Sequence, residues 1–358
     1  MAKNEINKRV FVGMSGGVDS SVAALLLVEA GYEVVGVFMQ NWSADFAGCC
    51  NLERDVADAR AVATQLGIPF YVWNFEKEYR DKVLEYFYAE YEAGRTPNPD
   101  VMCNREIKFK LFLERALKLG ADYIATGHYA RITEADGTFH LLKGTDKSKD
   151  QSYFLCLLGQ VELSRALFPL GALAKTEVRA IARQNILLNA GKKDSQGLCF
   201  VGQVDIRDFL KERLKPKTGK IVDVAGKVLG EHEGVVFYTL GQRKEIGNLV
   251  GGPYYVVDKK MDSNELVVSA DPHEPLLWRQ ECLIDNLSWV DKPINLPADY
   301  EVIIRYHHEP TQAHLTKVEN DKIKVIFAKP ERAITPGQLA VICAGEEILG
   351  AGVIATIL

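Results

Sequence analysis

Residues 10–21 carry the sequence VFVGMSGGVDSS, in which a short apolar run is followed by a glycine-rich turn. The apolar run from Val10 to Gly13 predicts a buried strand, and the alanine- and leucine-rich run from Ser20 to Ala30 predicts a helix. A glycine-rich turn between a strand and a helix can hold an anion on its backbone amides. This part of the chain therefore predicts a βα unit with a phosphate site at its turn.

The turn offers several kinds of phosphate contact. Its glycines let the backbone approach phosphate oxygens, its serines can donate hydrogen bonds, and Asp19 can bind Mg²⁺. The chain has no Gly-Lys-Ser/Thr and this turn has no Gly-x-Gly-x-x-Gly, which excludes a Walker A loop and disfavours a dinucleotide site. A bare Ser-Gly-Gly would indicate an ordinary serine-capped turn. The full string Ser15 to Ser21 instead resembles the pyrophosphate-binding loop of the N-type ATP pyrophosphatases, which implies transfer of AMP from ATP to a substrate oxygen.

Strands and helices alternate through the rest of the first half. Further strands are predicted over residues 33–39, 70–73 and 122–126, and further helices over residues 52–66, 76–91 and 105–119. Repeated βα units predict an open parallel sheet with helices on both faces. Ligands of such sheets bind at the carboxyl ends of the strands.

The pattern changes after about residue 210, where short β-branched runs separated by turn residues replace the helical periodicity. A hairpin is predicted over residues 256–269, and regularly spaced short strands after residue 281 predict a small closed barrel. We therefore expect an α/β protein with three domains. These are an ATP pyrophosphatase domain over residues 1–210, a small mixed central domain over residues 211–277 and a C-terminal β-barrel over residues 278–358.

Composition excludes several classes of protein. The 358 residues are 47% hydrophobic and 25% charged, which is the balance of a globular protein. No apolar stretch is long enough to span a bilayer, and the polar first ten residues do not resemble a signal peptide. We therefore expect a cytoplasmic protein without a membrane partner. The net charge of −5 means that any RNA must bind a local basic surface, for which residues 105–118, 143–149 and 211–220 are candidates, although solvated faces are the alternative.

The seven cysteines include two candidates for chemistry, and their odd number argues against a disulfide framework. Cys103 is the penultimate residue of the segment GRTPNPDVMCN (94–104), which two prolines stiffen. If Asn104 caps the following helix, Cys103 lies at its positive end, where the pKa of a thiol falls. Asp100 is close enough in sequence to act as a general acid or base. The alternative for a lone cysteine is a small buried side chain.

Cys199 lies in KKDSQGLCF, a polar, glycine-containing segment that indicates a loop. If the two thiols meet, one can carry sulfur as a persulfide while the other attacks. The Cys49–Cys50 pair is ambiguous, and no Cys-x-x-Cys or histidine spacing indicates a zinc site. The remaining cysteines lie in apolar surroundings and are predicted to be core residues: Cys156, Cys282 and Cys343.

Taken in order, the motifs of the chain closely resemble those of the tRNA-specific 2-thiouridylases over essentially its whole length. The motifs are Gly13–Ser20, Phe38–Trp42, Gly94–Asn104, Ala125–Tyr129, Lys149–Phe154, Asp194–Phe200, Tyr238–Arg243 and Thr335–Gln338. The resemblance implies the three domains above and a sulfurtransferase that makes 2-thiouridine at position 34 of tRNA. ATP would adenylate the C2 oxygen of that uridine, and sulfur from a cysteine persulfide would replace it, giving AMP and pyrophosphate. The chain departs from the family in a short loop at 247–253 and in its second cysteine at 49–50.

The same resemblance implies roles for individual residues. ATP would be bound by Gly13, Met14, Ser15, Gly16, Gly17, Val18, Asp19, Ser20, Met39 and Gly127, with Asp19 holding the Mg²⁺ of the nucleotide. Asn98, Pro99 and Asp100 would contact the target base, Cys103 would be the nucleophile and Cys199 would carry the persulfide. The implied tRNA contacts are His128, Lys149, Asp150, Gln151, Arg305, Tyr306 and Gln338. The implied partners are tRNA and a persulfide donor protein, either a cysteine desulfurase or a sulfur-relay protein.

Two other functions are compatible with the loop alone: a synthetase acting on a small molecule, and a non-catalytic nucleotide-binding protein. The loop cysteines and the terminal barrel disfavour the first, and the intact loop with Asp19 disfavours the second. The sequence leaves the sulfur step open. In one route, Cys103 attacks the persulfide, which releases sulfide locally and ends in a Cys103–Cys199 disulfide. In the other route, the carbon is attacked directly, by Cys103 or by the persulfide.

Overall fold

A computed structural model describes residues 8–41, 52–193, 206–211, 213–215, 217–246, 249–319 and 321–358. Its strands are β1 Arg9–Gly13, β2 Glu33–Gln40, β3 Phe70–Asn74, β4 Tyr123–Ala125, β5 Ala130–Ala135, β6 Thr138–Lys143, β7 Ala166–Leu167, β8 Gly219–Asp223, β9 Val228–His232, β10 Tyr255–Lys260, β11 Glu265–Ser269, β12 Trp278–Trp289, β13 Ala298–Ile303, β14 Thr311–Lys317, β15 Ile323–Arg332, β16 Leu339–Ala344 and β17 Glu347–Ile357.

Two of the helices contain a π-helical stretch. The helices are α1 Val18–Glu29, α2 Leu52–Gln65, α3 (Glu76–Tyr79, π-helical Arg80–Leu84 and Glu85–Glu92), α4 (Pro99–Cys103, π-helical Asn104–Phe112 and Leu113–Lys118), α5 Gln160–Leu163, α6 Lys175–Gln184 and α7 Ile206–Lys211. Single 3₁₀ turns lie at Ser152–Leu155, Val235–Phe237 and Pro275–Leu277. Among the described residues, no helix is both long and apolar enough to cross a membrane.

The first sheet is parallel, with strand order β3-β2-β1-β4-β7. Its central strand β1 is buried on both faces. Val10 and Val12 pack into one apolar cluster with residues of α1, α2 and α6, while Phe11 packs into another with residues of α3 and α4. The predicted parallel sheet with helices on both faces is confirmed, and it places the β1–α1 turn at the carboxyl end of the central strand.

Helix α4 begins earlier than the sequence prediction of residues 105–119. Pro99 occupies its first position, where the fixed φ and missing N–H of proline cost nothing. Asn98 is the N-cap, and its side-chain oxygen accepts a hydrogen bond from the Val101 amide at 3.3 Å. The prediction that Asn104 caps this helix is therefore wrong, and Cys103 lies inside the helix rather than at its positive end.

The second half of the chain is built from β-sheet, as predicted. Strands β10 and β11 form the predicted antiparallel hairpin in a four-stranded sheet ordered β10-β11-β8-β9. Strands β12 to β17 form a barrel that closes through pairing of β12 with β17. Its interior is aliphatic, with Leu315, Val325, Ile342 and Ile354 fully buried. The predicted C-terminal β-barrel is confirmed.

The hairpin of β5 and β6, inserted after the fourth strand of the parallel sheet, joins the sheet of the barrel. β6 pairs with β17, where Ile348 lies opposite Leu141. An ion pair between Arg131 and Glu346 at 2.6 Å reinforces the join. The sequence prediction contains no strand here, although the two-residue Asp136-Gly137 turn between β5 and β6 is a typical hairpin signal. Only the pairing of β6 with β17, about 200 residues away, leaves no local signal. The hairpin that follows β4 is thus connected to the barrel by backbone hydrogen bonds between β6 and β17.

Candidate active site

The turn between β1 and α1 has a backbone that only glycine accommodates at position 16. The Met14 amide donates to the Val37 carbonyl at 2.8 Å, which keeps the start of the turn on the sheet. Gly16 has φ of +74°, and a Cβ at this position would lie 2.4 Å from the carbonyl oxygen of Asp55. Any side chain at Gly16 would therefore displace either the turn or α2.

The first turn of α1 leaves amides for an anion. The N-cap residue is Gly17, which has no side chain to accept from them. The hydroxyls of Ser20 and Ser21 both donate to the Gly17 carbonyl, at 3.1 and 3.0 Å, so the serines fix the turn. The helix N-terminus thus presents donors and a positive dipole end, which fits the phosphates of ATP.

The other predicted ATP residues lie beside this turn. A Cβ on Gly13 would lie 2.8 Å from Met39 Cε, so the side chain of Met39 covers the end of β1. A Cβ on Gly127 would lie 2.8 Å from the Ser20 amide nitrogen, so the backbone after β4 runs against the start of α1. The structure therefore brings Met39, Gly127 and the glycine-rich turn together.

The Asp19 carboxylate has two partners that the sequence analysis missed. Lys175 Nζ lies 2.7 and 2.8 Å from its two oxygens, and the Tyr129 hydroxyl donates to Oδ1 at 2.9 Å. Lys175 is the first residue of α6, and its side chain is only 13% exposed. A lysine in the first turn of a helix opposes the helix dipole, and this unusual placement was the available sequence signal.

Asn189 also holds the turn. Its side-chain nitrogen donates to the Gly16 carbonyl and to Ser21 Oγ, both at 2.9 Å, and the residue is buried. Lys192 reaches Asp55 and Asp58 on α2 at 2.7 and 2.5 Å. The segment that leads towards Cys199 is therefore fastened to the phosphate turn. Cys199 itself, like Cys49 and Cys50, lies outside the described residues.

Cys103 is 1% exposed and lies in the second turn of α4. The next residue, Asn104, donates its side-chain amide to the Phe154 carbonyl at 3.0 Å. Asn98, Pro99 and Asp100, the predicted target-base residues, form the cap and first turn of the same helix. One helix therefore carries both the predicted base-contacting residues and the predicted nucleophile.

The three cysteines predicted to be core residues are confirmed, since Cys156, Cys282 and Cys343 have no exposed surface. Burial raises the pKa of the Cys282 and Cys343 thiols to about 12, and it raises that of Cys156 further. These thiols stay protonated and unreactive at neutral pH. They are therefore poor candidates for a nucleophile.

His128 is enclosed rather than displayed on the surface. Its ring lies between Phe109 of α4 and Phe168, with centroids 5.9 and 6.0 Å away, and Nδ1 is 2.7 Å from Thr126 Oγ1. Desolvation lowers its pKa well below the usual value, so the ring is neutral. Because Gly127 touches α1 and His128 touches α4, this dipeptide links the phosphate turn to the helix of Cys103.

Two distant groups of predicted tRNA contacts meet in the structure. Strand β13 ends at Ile303, and Arg305 and Tyr306 lie in the turn that follows it. The Tyr306 ring packs on Phe154, with centroids 4.3 Å apart, next to the segment 149–151. Within that segment, Asp150 accepts from the Gly144 amide and Gln151 from the Tyr129 amide. Their contact with tRNA stays a prediction.

The fold and the turn define an α/β protein of the ATP-binding pyrophosphatase-loop class. Family models match residues 8–203 (tRNA methyl transferase HUP domain), 207–270 (tRNA methyl transferase PRC-barrel domain) and 279–354 (aminomethyltransferase beta-barrel domain). The chain is 48% identical to tRNA-specific 2-thiouridylase MnmA of Shouchella clausii, over 99% of this chain and 98% of that protein. It is 50% identical to the MnmA of Streptococcus thermophilus, over 97% of this chain and 95% of that protein. The chain belongs to the family of tRNA-specific 2-thiouridylases.

A solved 4-thiouridine synthetase–RNA complex with bound ATP is more distantly similar, at 19% identity and a TM-score of 0.38. That likeness covers 57% of this chain and 50% of the other.

Proposed function

We propose that the protein adenylates the C2 oxygen of uridine 34 in tRNA and replaces it with sulfur, giving 2-thiouridine, AMP and pyrophosphate. The observation that carries the proposal is the link through Gly127 and His128. It sets the phosphate turn beside α4, which bears Asn98–Asp100 and Cys103. ATP activation and attack on the base can therefore take place in one site. A synthetase acting on a small molecule, the other function considered, is not favoured by the family.

The residues around Asp19 are suited to the adenylation step. The first-turn amides of α1 would hold the phosphates. Lys175, which contacts Asp19, is close enough to bind the same phosphates. Asp19 would hold Mg²⁺ together with phosphate oxygens, which fits a metal that usually takes one or two carboxylates plus the substrate phosphates. Bound Mg²⁺ neutralises phosphate charge and so makes pyrophosphate a better leaving group. Adenylation then converts the C2 oxygen into part of a good leaving group, AMP.

The sulfur step needs a carrier and a nucleophile. A donor protein, a cysteine desulfurase or a sulfur-relay protein, transfers the terminal sulfur of its persulfide to Cys199. If the Cys103 thiolate attacks Cys199 Sγ, hydrosulfide is released and a Cys103–Cys199 disulfide forms. Hydrosulfide then adds to C2, the C2–O bond breaks and AMP leaves with the oxygen. If the terminal sulfur of the Cys199 persulfide instead attacks C2 directly, the same C2–O bond breaks and AMP leaves. The Cys103 thiolate then attacks Cys199 Sγ and breaks the S–S bond, so that 2-thiouridine and the Cys103–Cys199 disulfide form. We propose that this reaction takes place in the cytoplasm, where tRNA and ATP are found.

The release of pyrophosphate tests the function most simply. Purified protein should release pyrophosphate from ATP at a rate that undermodified tRNA stimulates and that fully thiolated tRNA does not. Stimulation by a small amino acid or nucleotide but not by tRNA would refute the proposal and restore the synthetase alternative. If no substrate led to pyrophosphate release, the remaining alternative would be a non-catalytic nucleotide-binding protein.

Lys149→Ala should weaken tRNA binding about three- to tenfold, because one phosphate contact is lost. The slope of log affinity against log salt concentration should fall by about one in magnitude. Fluorescence anisotropy with labelled tRNA at several salt concentrations measures both quantities. Lys317→Ala is a matched control, since this exposed lysine is paired with Asp321 at 2.8 Å. Equal slopes for the two variants would show that Lys149 does not contact phosphate.

A further inference from the structure

Thr96 lies in the loop between α3 and α4, and other domains bind all three of its polar groups. Its amide donates to the Pro336 carbonyl at 2.9 Å, and its carbonyl accepts from Gln338 Nε2 at 2.8 Å. Its hydroxyl is 3.2 Å from the hydroxyl of Thr239. The first two bonds come from the barrel and the third comes from the central region of the chain.

The approach from the barrel is too close for any residue but glycine. Gly337 has φ of +94°, and a Cβ there would lie 2.8–2.9 Å from the backbone atoms of Thr96. The turn that carries Gly337 is anchored on β17, because the Gly337 amide donates to the Ile354 carbonyl and the Ile354 amide donates to the Gln338 carbonyl. The turn that carries Gly337 is therefore fixed by hydrogen bonds to β17, and it packs directly against the loop of Thr96.

The turn of the central region that carries Thr239 is also fixed by hydrogen bonds. The Thr239 amide donates to Gln242 Oε1 at 3.0 Å, which fixes its own turn. On the preceding residue, the Tyr238 carbonyl accepts from Lys259 Nζ at 2.8 Å. Gly94, two residues before Thr96, has φ of +74°, and a Cβ there would lie 2.6 Å from Met261 Sδ. The loop is thus enclosed from two sides.

Thr96 precedes the N-cap of α4 by two residues, so its position sets where that helix begins. We infer that Thr96, Thr239, Gly337 and Gln338 form an interdomain clamp, through which the barrel and the central region position the base-contacting turn of α4 and Cys103. These four are positioning residues. The inference rests on the proposed function for its kinetic consequence, although the contacts stand without it. It also gives Gln338 a role inside the protein, beside the tRNA contact predicted for it.

The clamp has a specific kinetic signature. The phosphate turn has its own anchors in Val37, Asn189 and Asp55, so loss of the clamp leaves ATP binding unchanged. The aromatic and basic residues around Tyr306 lie on a different turn, so tRNA affinity also changes little. What changes is the placement of the base and of Cys103, and a displacement of about 1 Å can slow a reaction about 10²-fold.

The test compares Thr239→Val, which removes the hydroxyl at nearly constant volume, with Thr239→Ser, which keeps it. In single turnover with saturating tRNA and ATP, Thr239→Val should form 2-thiouridine roughly tenfold more slowly, while Thr239→Ser should stay within twofold of the parent. Both should bind tRNA and ATP with unchanged affinity. Adding Thr96→Val to Thr239→Val should give no further loss, because the two hydroxyls act as one contact. Thr316→Val on β14 serves as a control for hydroxyl loss in the barrel.

Hydrogen exchange separates the clamp from the proposed function. Amides of residues 100–104 should exchange faster in Thr239→Val than in the parent and not in Thr239→Ser, whatever the reaction is. A parent protein that makes no 2-thiouridine, together with this exchange difference, would refute the proposed function and support the clamp. Parental exchange and a parental rate in Thr239→Val would overturn the clamp and leave the function intact.

Discussion

Cys103→Ser and Cys199→Ser should each lower 2-thiouridine formation at least about 10³-fold, but each should stop the reaction at a different step. Cys103 is 1% exposed inside α4, so a persulfide on a donor protein cannot reach it. In the proposed mechanism, sulfur therefore enters through Cys199. The Cys103→Ser protein should therefore accept sulfur on Cys199 and make no product. The Cys199→Ser protein should adenylate tRNA but retain no sulfur.

Radiolabelled persulfide followed by peptide mapping distinguishes the two variants. The label should be found on the peptide of Cys199 in the parent and in Cys103→Ser, and on no peptide in Cys199→Ser. Cys282→Ala is the control for the loss of a thiol as such, since this cysteine lies in the barrel core. Label on Cys103 in the Cys199→Ser protein, with 2-thiouridine still forming, would reverse the two roles.

Asp19→Asn should reduce tRNA-dependent pyrophosphate release at least about 10²-fold while leaving tRNA affinity unchanged. The substitution keeps the shape of the side chain and removes the charge that binds Lys175 and, in the proposed mechanism, Mg²⁺. Lys175→Met should give a comparable loss, because the cation that pairs with Asp19 disappears. The double variant should be no worse than the poorer single variant if the two groups act as a unit.

A pyrophosphate assay with saturating tRNA measures these rates, and anisotropy measures the affinity. Asp262→Asn, in the turn between β10 and β11, controls for removing one negative charge from an exposed site. Parental pyrophosphate release by Asp19→Asn would show that the turn at Gly13–Ser20 is not the site of adenylation.

Features with a local cause could be predicted from the sequence. Strands β1 to β4 of the parallel sheet lie within one residue of their predicted bounds, because such strands are short apolar runs that end at turn residues. The two-residue edge strand β7 was not predicted. The βα turn with Gly16 was recognisable because its glycine spacing follows from the backbone it must adopt. The barrel was predictable as a class from its spaced β-branched runs.

Features with a distant cause could not be predicted. Lys175 contacts Asp19 across 156 residues of sequence, and Asn189 contacts Gly16 across 173. The residues adjacent to them in the sequence do not indicate these partners. The clamp on Thr96 likewise joins three distant segments. The start of α4 is a different case, because Asn98-Pro99 was a readable helix start. The two prolines of this segment also indicate a stiff loop, and that competing signal hides the helix start.

The central claim is that the C2 oxygen of uridine 34 leaves as part of AMP. A tRNA carrying ¹⁸O at C2 of that uridine tests this claim directly, in a single turnover with ATP and a persulfide donor. The proposed mechanism predicts one ¹⁸O atom in the phosphate of each AMP and an equal amount of 2-thiouridine. If 2-thiouridine forms while the AMP is unlabelled and the ¹⁸O is found in water, the oxygen was never adenylated and the mechanism is wrong.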